Sequence, residues 1–176
     1  MVFSSLFFLC IFLPVSLGLY YLIKNRSYRN WILMLTSLFF YAWGEPVWIT
    51  ILILSTFLNW FLALKISENR GNWKGKTVLM LSVAENLLIL VFFKYSGFLA
   101  ENINHIFGSN IALKSVGLPI GISFFTFKII SYIADVYRGE VTVQKSPFKL
   151  LLYVSLFHQI MAGPIVRYKD MEEAID

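Results

Sequence analysis

Long apolar runs, separated by stretches most of which carry basic residues, constrain this chain more than any other feature. Six such runs follow one another, at residues 2–23, 30–43, 47–64, 77–93, 117–133 and 150–166. The first run, as a helix of about 22 residues, would be roughly 33 Å long, enough to cross the hydrocarbon core of a bilayer. Since backbone polar groups must be satisfied internally in lipid, the runs predict helices. We therefore predict an all-α integral membrane protein with about five to six transmembrane or re-entrant helices.

The composition excludes an ordinary soluble domain. Hydrophobic residues make up 58% of the chain, aromatic residues 18% and charged residues only 14%, whereas soluble domains have about 25% charged residues. The net charge of +5 lies in loops, which is typical of a protein oriented in a membrane. We expect contact with membrane lipid and no nucleic-acid partner. No Ser/Gly-rich linker interrupts residues 1–176, so one membrane domain is predicted. The first run lacks a basic leader and is expected to be a retained helix.

The distribution of basic residues predicts the orientation. With the N-terminus on the extracytoplasmic side, the loops after the first, third and fifth runs lie in the cytoplasm, as the positive-inside rule requires. Ten of the fifteen basic residues are in these loops: Lys24, Arg26, Arg29, Lys65, Arg70, Lys74, Lys76, Arg138, Lys145 and Lys149. Gly163-Pro164 breaks the sixth run near its end, which allows that run to be re-entrant.

Polar residues inside the apolar runs indicate a built site, because such residues are costly in lipid unless they face a protein interior or a cavity. Lys128 lies in the fifth run and requires a cavity, the interface or a carboxylate partner. Asp135 and Arg138 are three residues apart and could pair on one helix face, either as an interfacial ion pair or for donor binding. Glu85 in the fourth run is either a functional group or a helix–helix contact.

Several weaker motifs have simpler explanations. The stretch 71–77, GNWKGKT, is one residue short of a phosphate-binding loop and follows no predicted strand. Glu101 and His105 share a helix face, but two ligands do not make a metal site, and no metal is predicted. Ser155 and His158 are also one turn apart, but no orienting acid accompanies them. His158 is therefore expected to pack or to line a cavity more than to act as a general base.

A set of short motifs carries a family resemblance. In the C-terminal part the motifs are LPIGISFFTF (118–127), SY (131–132), DVYRG (135–139), FHQ (157–159) and AGPIVRY (162–168). In the N-terminal part they are FLP (12–14), SLFFYAWGEP (37–46) and FFKY (92–95). Together they resemble the membrane-bound O-acyltransferase family, and are most similar to its bacterial branch that contains the alginate O-acetyltransferase membrane subunit.

The resemblance implies a function. An acyl group, expected to be acetyl, would pass from a cytoplasmic thioester donor, acetyl-CoA or an acyl carrier, to hydroxyls of an extracytoplasmic polysaccharide or to a relay protein. The protein would lie in the bacterial inner membrane and hold no bound cofactor. Such a reaction needs a chamber within the membrane from which water is kept, because water would hydrolyse the thioester.

The resemblance also selects candidate site residues. Those expected to line the chamber or the substrate path are Gln159, Arg167, Asp135, Arg138, Lys128 and His158. Related sequences usually have Gln in place of Lys128 and Pro in place of His158. The catalytic histidine of the family lies in a later region, beyond the Arg167-Tyr168 motif, so no catalytic residue is assigned here. The chain is thus expected to be an N-terminal portion of a family member, and inactive alone.

Two other classes of function remain open from the sequence. Bent helices with intramembrane Glu85 and Lys128 also suit half of a transporter, which would have a related half elsewhere in the gene. A non-catalytic membrane interaction module would need no histidine at all. A histidine within further transmembrane runs, encoded beyond the last codon, would favour the enzyme over both of these classes.

Overall fold

A computed structural model of the chain describes residues 5–107, 117–160 and 166–175, and within these ranges all regular structure is helical. A π-helical turn, Phe8–Phe12, continues into α1 (Leu13–Leu22), whose second residue is Pro14. The remaining helices are α2 (Arg26–Gly44), α3 (Ile49–Glu68), α4 (Trp73–Phe107), α5 (Ile122–Arg138), α6 (Pro147–Ser155), α7 (Phe157–Ile160) and α8 (Tyr168–Ile175). The predicted all-α class is confirmed.

Helices α3 and α4 are long and apolar enough to cross a membrane, judged by length and composition. A shorter apolar helix spans Phe8–Leu22. Many large apolar side chains on the outer faces of these helices are exposed, among them Leu54, Phe61 and Leu88. An apolar outer face of this kind fits contact with lipid.

Helix α4 is longer than the sequence predicted. It contains 35 residues and is therefore about 52 Å long, which exceeds the hydrocarbon thickness of a bilayer. The sequence predicted a fourth apolar run that ends at residue 93, and polar residues follow it from Lys94. They form one continuous helix as far as Phe107, because Lys94 to Phe107 contains no proline to interrupt the backbone hydrogen bonds.

The core lies where α2, α3, α4, α5 and α6 meet. Its fully buried apolar residues include Leu52, Ile129, Ile133 and Leu150. A second, aromatic cluster joins the π-helical turn, α2 and α7 through Phe12, Phe40 and Phe157. The Phe12 and Phe157 rings meet edge to face at 5.6 Å, which is a favourable geometry for aromatic pairs.

The three basic loops lie at one end of the bundle, which we call the basic end. The Asn30 amide donates to the Ile175 carbonyl oxygen at 2.7 Å, and the Trp31 and Phe148 rings lie 5.2 Å apart. The Arg70 guanidinium packs against Gly139. The Trp31–Phe148 and Arg70–Gly139 contacts bring the regions of the loops after the first, third and fifth runs together. The Asn30–Ile175 bond brings α8, which follows the sixth run, to the same end. That the basic end faces the cytoplasm stays a prediction.

The sixth apolar run enters and leaves at the basic end. Helix α6 starts there, and the Trp60 indole donates to the Gln144 carbonyl oxygen just before it, at 2.9 Å. The chain reaches Ile160, which lies against Gly121 at the opposite end of α5. At Arg167 it is back beside Asp135, near the basic end. Residues 147–160 and 166–167, on either side of residues 161–165, therefore begin and end near the basic end, and we call these two stretches the re-entrant segment. The predicted break at Gly163-Pro164 lies outside the described residues.

Candidate functional site

Helix α5 begins at a left-handed glycine that lies against the re-entrant segment. Gly121 is the N-cap of α5 and has φ +75°. A Cβ at this position would overlap the carbonyl oxygen of Ile160. Only glycine both adopts this backbone conformation without strain and leaves room for α7. Nearby, the Tyr41 hydroxyl donates to the Ile120 carbonyl oxygen at 2.9 Å, which ties the entry of α5 to α2.

Lys128 is 1% exposed and lies between α5 and α6. Its ammonium donates to the Tyr153 carbonyl oxygen at 2.8 Å and lies 4.7 Å from the centre of the Tyr153 ring. In a longer α6 that carbonyl would accept from the Phe157 N–H, but this N–H donates to the Ser37 hydroxyl at 3.3 Å. Lys128 thus caps the C-terminus of α6, where a cation is favourable. The carboxylate partner considered from the sequence is not its partner here.

Three tyrosines join helices α5 and α6 to the chain that follows residue 165. The Tyr168 ring lies edge to face against Tyr132 at 4.9 Å and Tyr153 at 5.2 Å. Tyr132 accepts from the Gln144 N–H, Tyr168 accepts from the Gln144 amide, and Tyr153 donates to the Val166 carbonyl, each at 2.9 Å. Sequence reasoning did not select this set as functional. Its signal is the recurrence of tyrosine, whose hydroxyl needs a partner when buried.

Asp135 pairs with Arg167 and not with Arg138. The Arg167 Nε donates to one oxygen of the buried Asp135 carboxylate at 3.3 Å, and Nη2 donates to the other. Nη2 also donates to Glu140 at 3.1 Å, while Arg138 lies 3.9 Å from Glu140. The expected Asp135–Arg138 pair is therefore wrong, because Asp135 points inward and Arg138 remains largely exposed.

This arrangement limits what Arg167 can do. Its hydrogen bonds to Asp135, followed by the charge of that carboxylate, raise the pKa of Arg167, so the guanidinium remains charged. Two carboxylates of the same chain already contact it. An anionic substrate would have to compete with them. A guanidinium held between two carboxylates is instead well suited to anchor the chain at Arg167 to the end of α5.

Gln159 and His158 lie on the short helix α7 at the turn of the segment. The Gln159 amide nitrogen lies 3.6 Å from the Met171 sulfur, and its buried Oε1 accepts no hydrogen bond within the described residues. His158 is exposed, with its ring 5.5 Å from the Phe157 ring. The buried Ser155 hydroxyl also has no partner in the described structure. The Ser155–His158 dyad, already weak from sequence, is not formed here.

A separate polar cluster joins α3 to α4 in the apolar core. Asn59 is fully buried and was not noticed in the sequence. Its Oδ1 accepts from Ser82 at 2.6 Å and from Asn86 at 2.8 Å, and its Nδ2 donates to Glu85 at 3.1 Å. Of the two roles considered for Glu85, the geometry favours the helix–helix contact. The Oε1 of Glu85 is buried with no partner among the described residues.

The weaker motifs lie on the surface. Residues 71–77 form the turn between α3 and the start of α4, with Gly71 at φ +83°. Glu101 and His105 are exposed on the last turns of α4. In the part of the chain that the structure describes, no three His, Cys, Asp or Glu side chains come together as metal ligands would.

The six candidate residues therefore occupy three places. Asp135, Arg138 and Arg167 lie at the basic end, Lys128 lies within the bundle at the end of α6, and His158 and Gln159 lie at the turn of the re-entrant segment. The segment links all three places. Of the six, Gln159 is the one whose buried polar atom lacks a partner in the described structure, which makes it the clearest candidate to face a substrate.

Comparison with known proteins gives a consistent set of relatives. The probable alginate O-acetylase AlgI of Pseudomonas putida is 40% identical over 176 residues, covering 97% of this chain and 36% of its own. The protein of the same name in Azotobacter vinelandii is 37% identical over 181 residues, covering 97% and 35%. A peptidoglycan O-acetyltransferase of Helicobacter pylori is 32% identical over 199 residues, covering 97% and 38%.

The chain spans about a third of the length of the curated relatives it matches. No family model matches it, and no solved structure matches it significantly. The similarity nevertheless extends over nearly the whole chain. The resemblance to the bacterial alginate O-acetyltransferase branch that the motifs predict is therefore confirmed.

Proposed function

Because the chain is related over nearly its whole length to O-acetyltransferases, we propose that the protein transfers an acetyl group to a polysaccharide hydroxyl. The observation that carries this proposal is the 97% coverage of the chain by relatives named for two different polymers, alginate and peptidoglycan. The polymers differ, but both names describe transfer of an acetyl group to oxygen. The type of reaction is thus better supported than the acceptor.

The reaction we propose is transesterification. A hydroxyl oxygen of the acceptor attacks the carbonyl carbon of an acetyl thioester, the new C–O bond forms, and the C–S bond breaks. A base removes the hydroxyl proton, which finally passes to the thiolate. Fixed hydrogen-bond donors stabilise the negative charge on the carbonyl oxygen. We assign the base to none of the residues described here, in keeping with the family position expected beyond Arg167-Tyr168.

We further propose that the re-entrant segment is one wall of the chamber in which this reaction occurs. Its backbone departs from helix at Leu156, and irregular backbone at membrane depth is tolerated where it is buried in protein or lines a cavity. Gln159 supplies an amide at this turn, and Lys128 fixes the end of α6 that leads to it. In this view Lys128, Asp135 and Arg167 position the wall, while Gln159 contacts substrate.

The proposed setting is the bacterial inner membrane, with the basic end towards the cytoplasm. A cytoplasmic acetyl thioester, acetyl-CoA or an acetylated carrier, would approach at that end. The acceptor, an extracytoplasmic polysaccharide or a relay protein, would approach from the other side. The outward apolar faces of α3 and α4 support placement in a membrane.

The test is acetyl transfer by the complete gene product. Membranes from cells that express it receive acetyl-CoA labelled in the acetyl group, and ester-linked label in polysaccharide or in a co-expressed relay protein is measured. We expect label that depends on the gene and is released by mild base. Gln159→Leu is expected to lower kcat at unchanged protein level, and Glu101→Gln on the exposed end of α4 serves as the control. Absence of gene-dependent ester label from every acceptor fraction would refute the proposal.

A further inference from the structure

We propose that Met171 on α8 selects acetyl over longer acyl groups, because its side chain limits the space beside the Gln159 amide. The proposal rests on the acetyl transfer proposed above and names the residue that decides which acyl group is transferred. Sequence reasoning did not select Met171. The contact between Met171 and Gln159 in the structure brings it to the candidate site.

The Gln159 amide makes a weak contact where a stronger one could form. Its Nε2 lies 3.6 Å from the Met171 sulfur, and a thioether is a weak hydrogen-bond acceptor. Its Oε1 is buried and accepts no hydrogen bond within the described residues. Because buried amides are normally hydrogen-bonded, we expect substrate to supply better partners. The carbonyl oxygen of an acyl thioester suits Nε2, and the acceptor hydroxyl suits Oε1.

Little room is left around that amide. Gln159 is 8% exposed, and Met171 packs against the core cluster that contains Tyr153 and Ile160. An acyl carbonyl that replaces the Met171 sulfur at Nε2 therefore places the rest of the acyl group against the Met171 side chain. A methyl group requires only that this side chain rotates, since methionine is unbranched and adapts its shape. A longer acyl chain requires the volume that Cγ, Sδ and Cε of Met171 occupy.

The backbone of α8 is held on both sides of Met171. Tyr168, Met171 and Ile175 share one face of the helix. Tyr168 is fully buried, with its ring against a tyrosine of α5 and another of α6. The Ile175 carbonyl oxygen accepts from the Asn30 amide at 2.7 Å. Space for a longer acyl group must therefore come from the Met171 side chain and not from a shift of α8.

A competition between acyl donors tests the proposal. Membranes that contain the complete gene product receive equal amounts of acetyl-, propionyl- and butyryl-CoA, each with a different isotopic label. The acyl groups that mild base releases from acceptor esters are counted by mass spectrometry. The ratio of butyryl to acetyl ester does not depend on the amount of folded protein. We expect Met171→Ala to raise this ratio at least about tenfold, because one methylene in an apolar pocket changes the rate about 10–200-fold.

Matched variants separate the effect of space from other effects. Met171→Leu keeps an apolar side chain of similar volume and should shift the ratio far less than Met171→Ala does. Met80→Ala removes the same atoms from a side chain of α4 that is 62% exposed, so the ratio should not change. Met171→Val opens less space and should raise the propionyl share, and it replaces Met171→Ala if the alanine variant does not accumulate. Gln159→Leu should lower transfer of all three acyl groups by a similar factor, because each contains the carbonyl.

The outcomes distinguish this proposal from the one on which it rests. An unchanged ratio in Met171→Ala, together with measurable acetyl transfer, would overturn the role of Met171 and leave acetyl transfer in place. An equal shift in Met80→Ala would also overturn that role, since the effect would then not arise beside Gln159. Absence of gene-dependent ester label from the unchanged protein would instead refute acetyl transfer itself, and the role of Met171 with it.

Discussion

Replacing Gly121 with alanine tests whether stability depends on the close contact between the start of α5 and the Ile160 carbonyl oxygen in α7. Two costs arise at this position. The left-handed conformation, φ +75°, costs an alanine about 1–2 kcal/mol, partly offset by about 0.4–1 kcal/mol from the stiffer unfolded chain. The new Cβ would also overlap the Ile160 carbonyl oxygen, and a forced backbone shift of this kind costs about 1–3 kcal/mol. The expected destabilisation is therefore about 1–5 kcal/mol.

The chain supplies controls that separate the two costs. Gly71 has φ +83° but open space around a Cβ, so Gly71→Ala should cost only about 1 kcal/mol. Gly97 lies within α4, also with open space, so Gly97→Ala should stabilise by up to about 1 kcal/mol through helix propensity. The free energies of unfolding are measured by SDS titration in mixed micelles, followed by circular dichroism. If Gly121→Ala costs no more than Gly71→Ala, the close contact with Ile160 does not exist.

The remaining predictions concern the buried polar contacts. Lys128→Met leaves the buried Tyr153 carbonyl without its donor and should lower the free energy of unfolding by about 1–3 kcal/mol. Lys128→Gln keeps an N–H donor and should lower it less. An equal decrease for the two variants in the same titration would argue against the capping role. Asn59→Leu removes three interhelical hydrogen bonds at about 0.6–1 kcal/mol each, so the free energy of unfolding should fall by about 2–3 kcal/mol. An unchanged free energy would show that the polar cluster between α3 and α4 does not contribute to stability. Asp135→Asn and Arg167→Ala should each lower the midpoint of thermal unfolding. The double variant should lower the midpoint by less than the sum of the two single decreases, whereas strictly additive decreases would exclude an interaction between Asp135 and Arg167. Arg138→Ala, which leaves that pair intact, should have the smallest effect of these variants.

The local properties of the chain were readable from its sequence. The apolar runs predicted the helical class, because backbone groups in lipid have no partners outside their own helix. The basic loops predicted which turns share one end of the bundle, and the contacts of Trp31 and Arg70 agree with that grouping. The motifs also predicted the relatives. Each of these conclusions depends on composition or short-range order, which the sequence contains directly.

The contacts of individual polar groups were decided by the tertiary structure alone. Asp135 had a plausible partner three residues away, but it bonds to Arg167, 32 residues along the chain. Lys128 was expected to need a cavity, the interface or a carboxylate partner, yet a carbonyl freed by the end of α6 satisfies it. Helical spacing identifies only neighbours on the same helix. Which distant helix supplies a partner depends on how the chain folds back, and here the re-entrant segment returns Arg167 to Asp135.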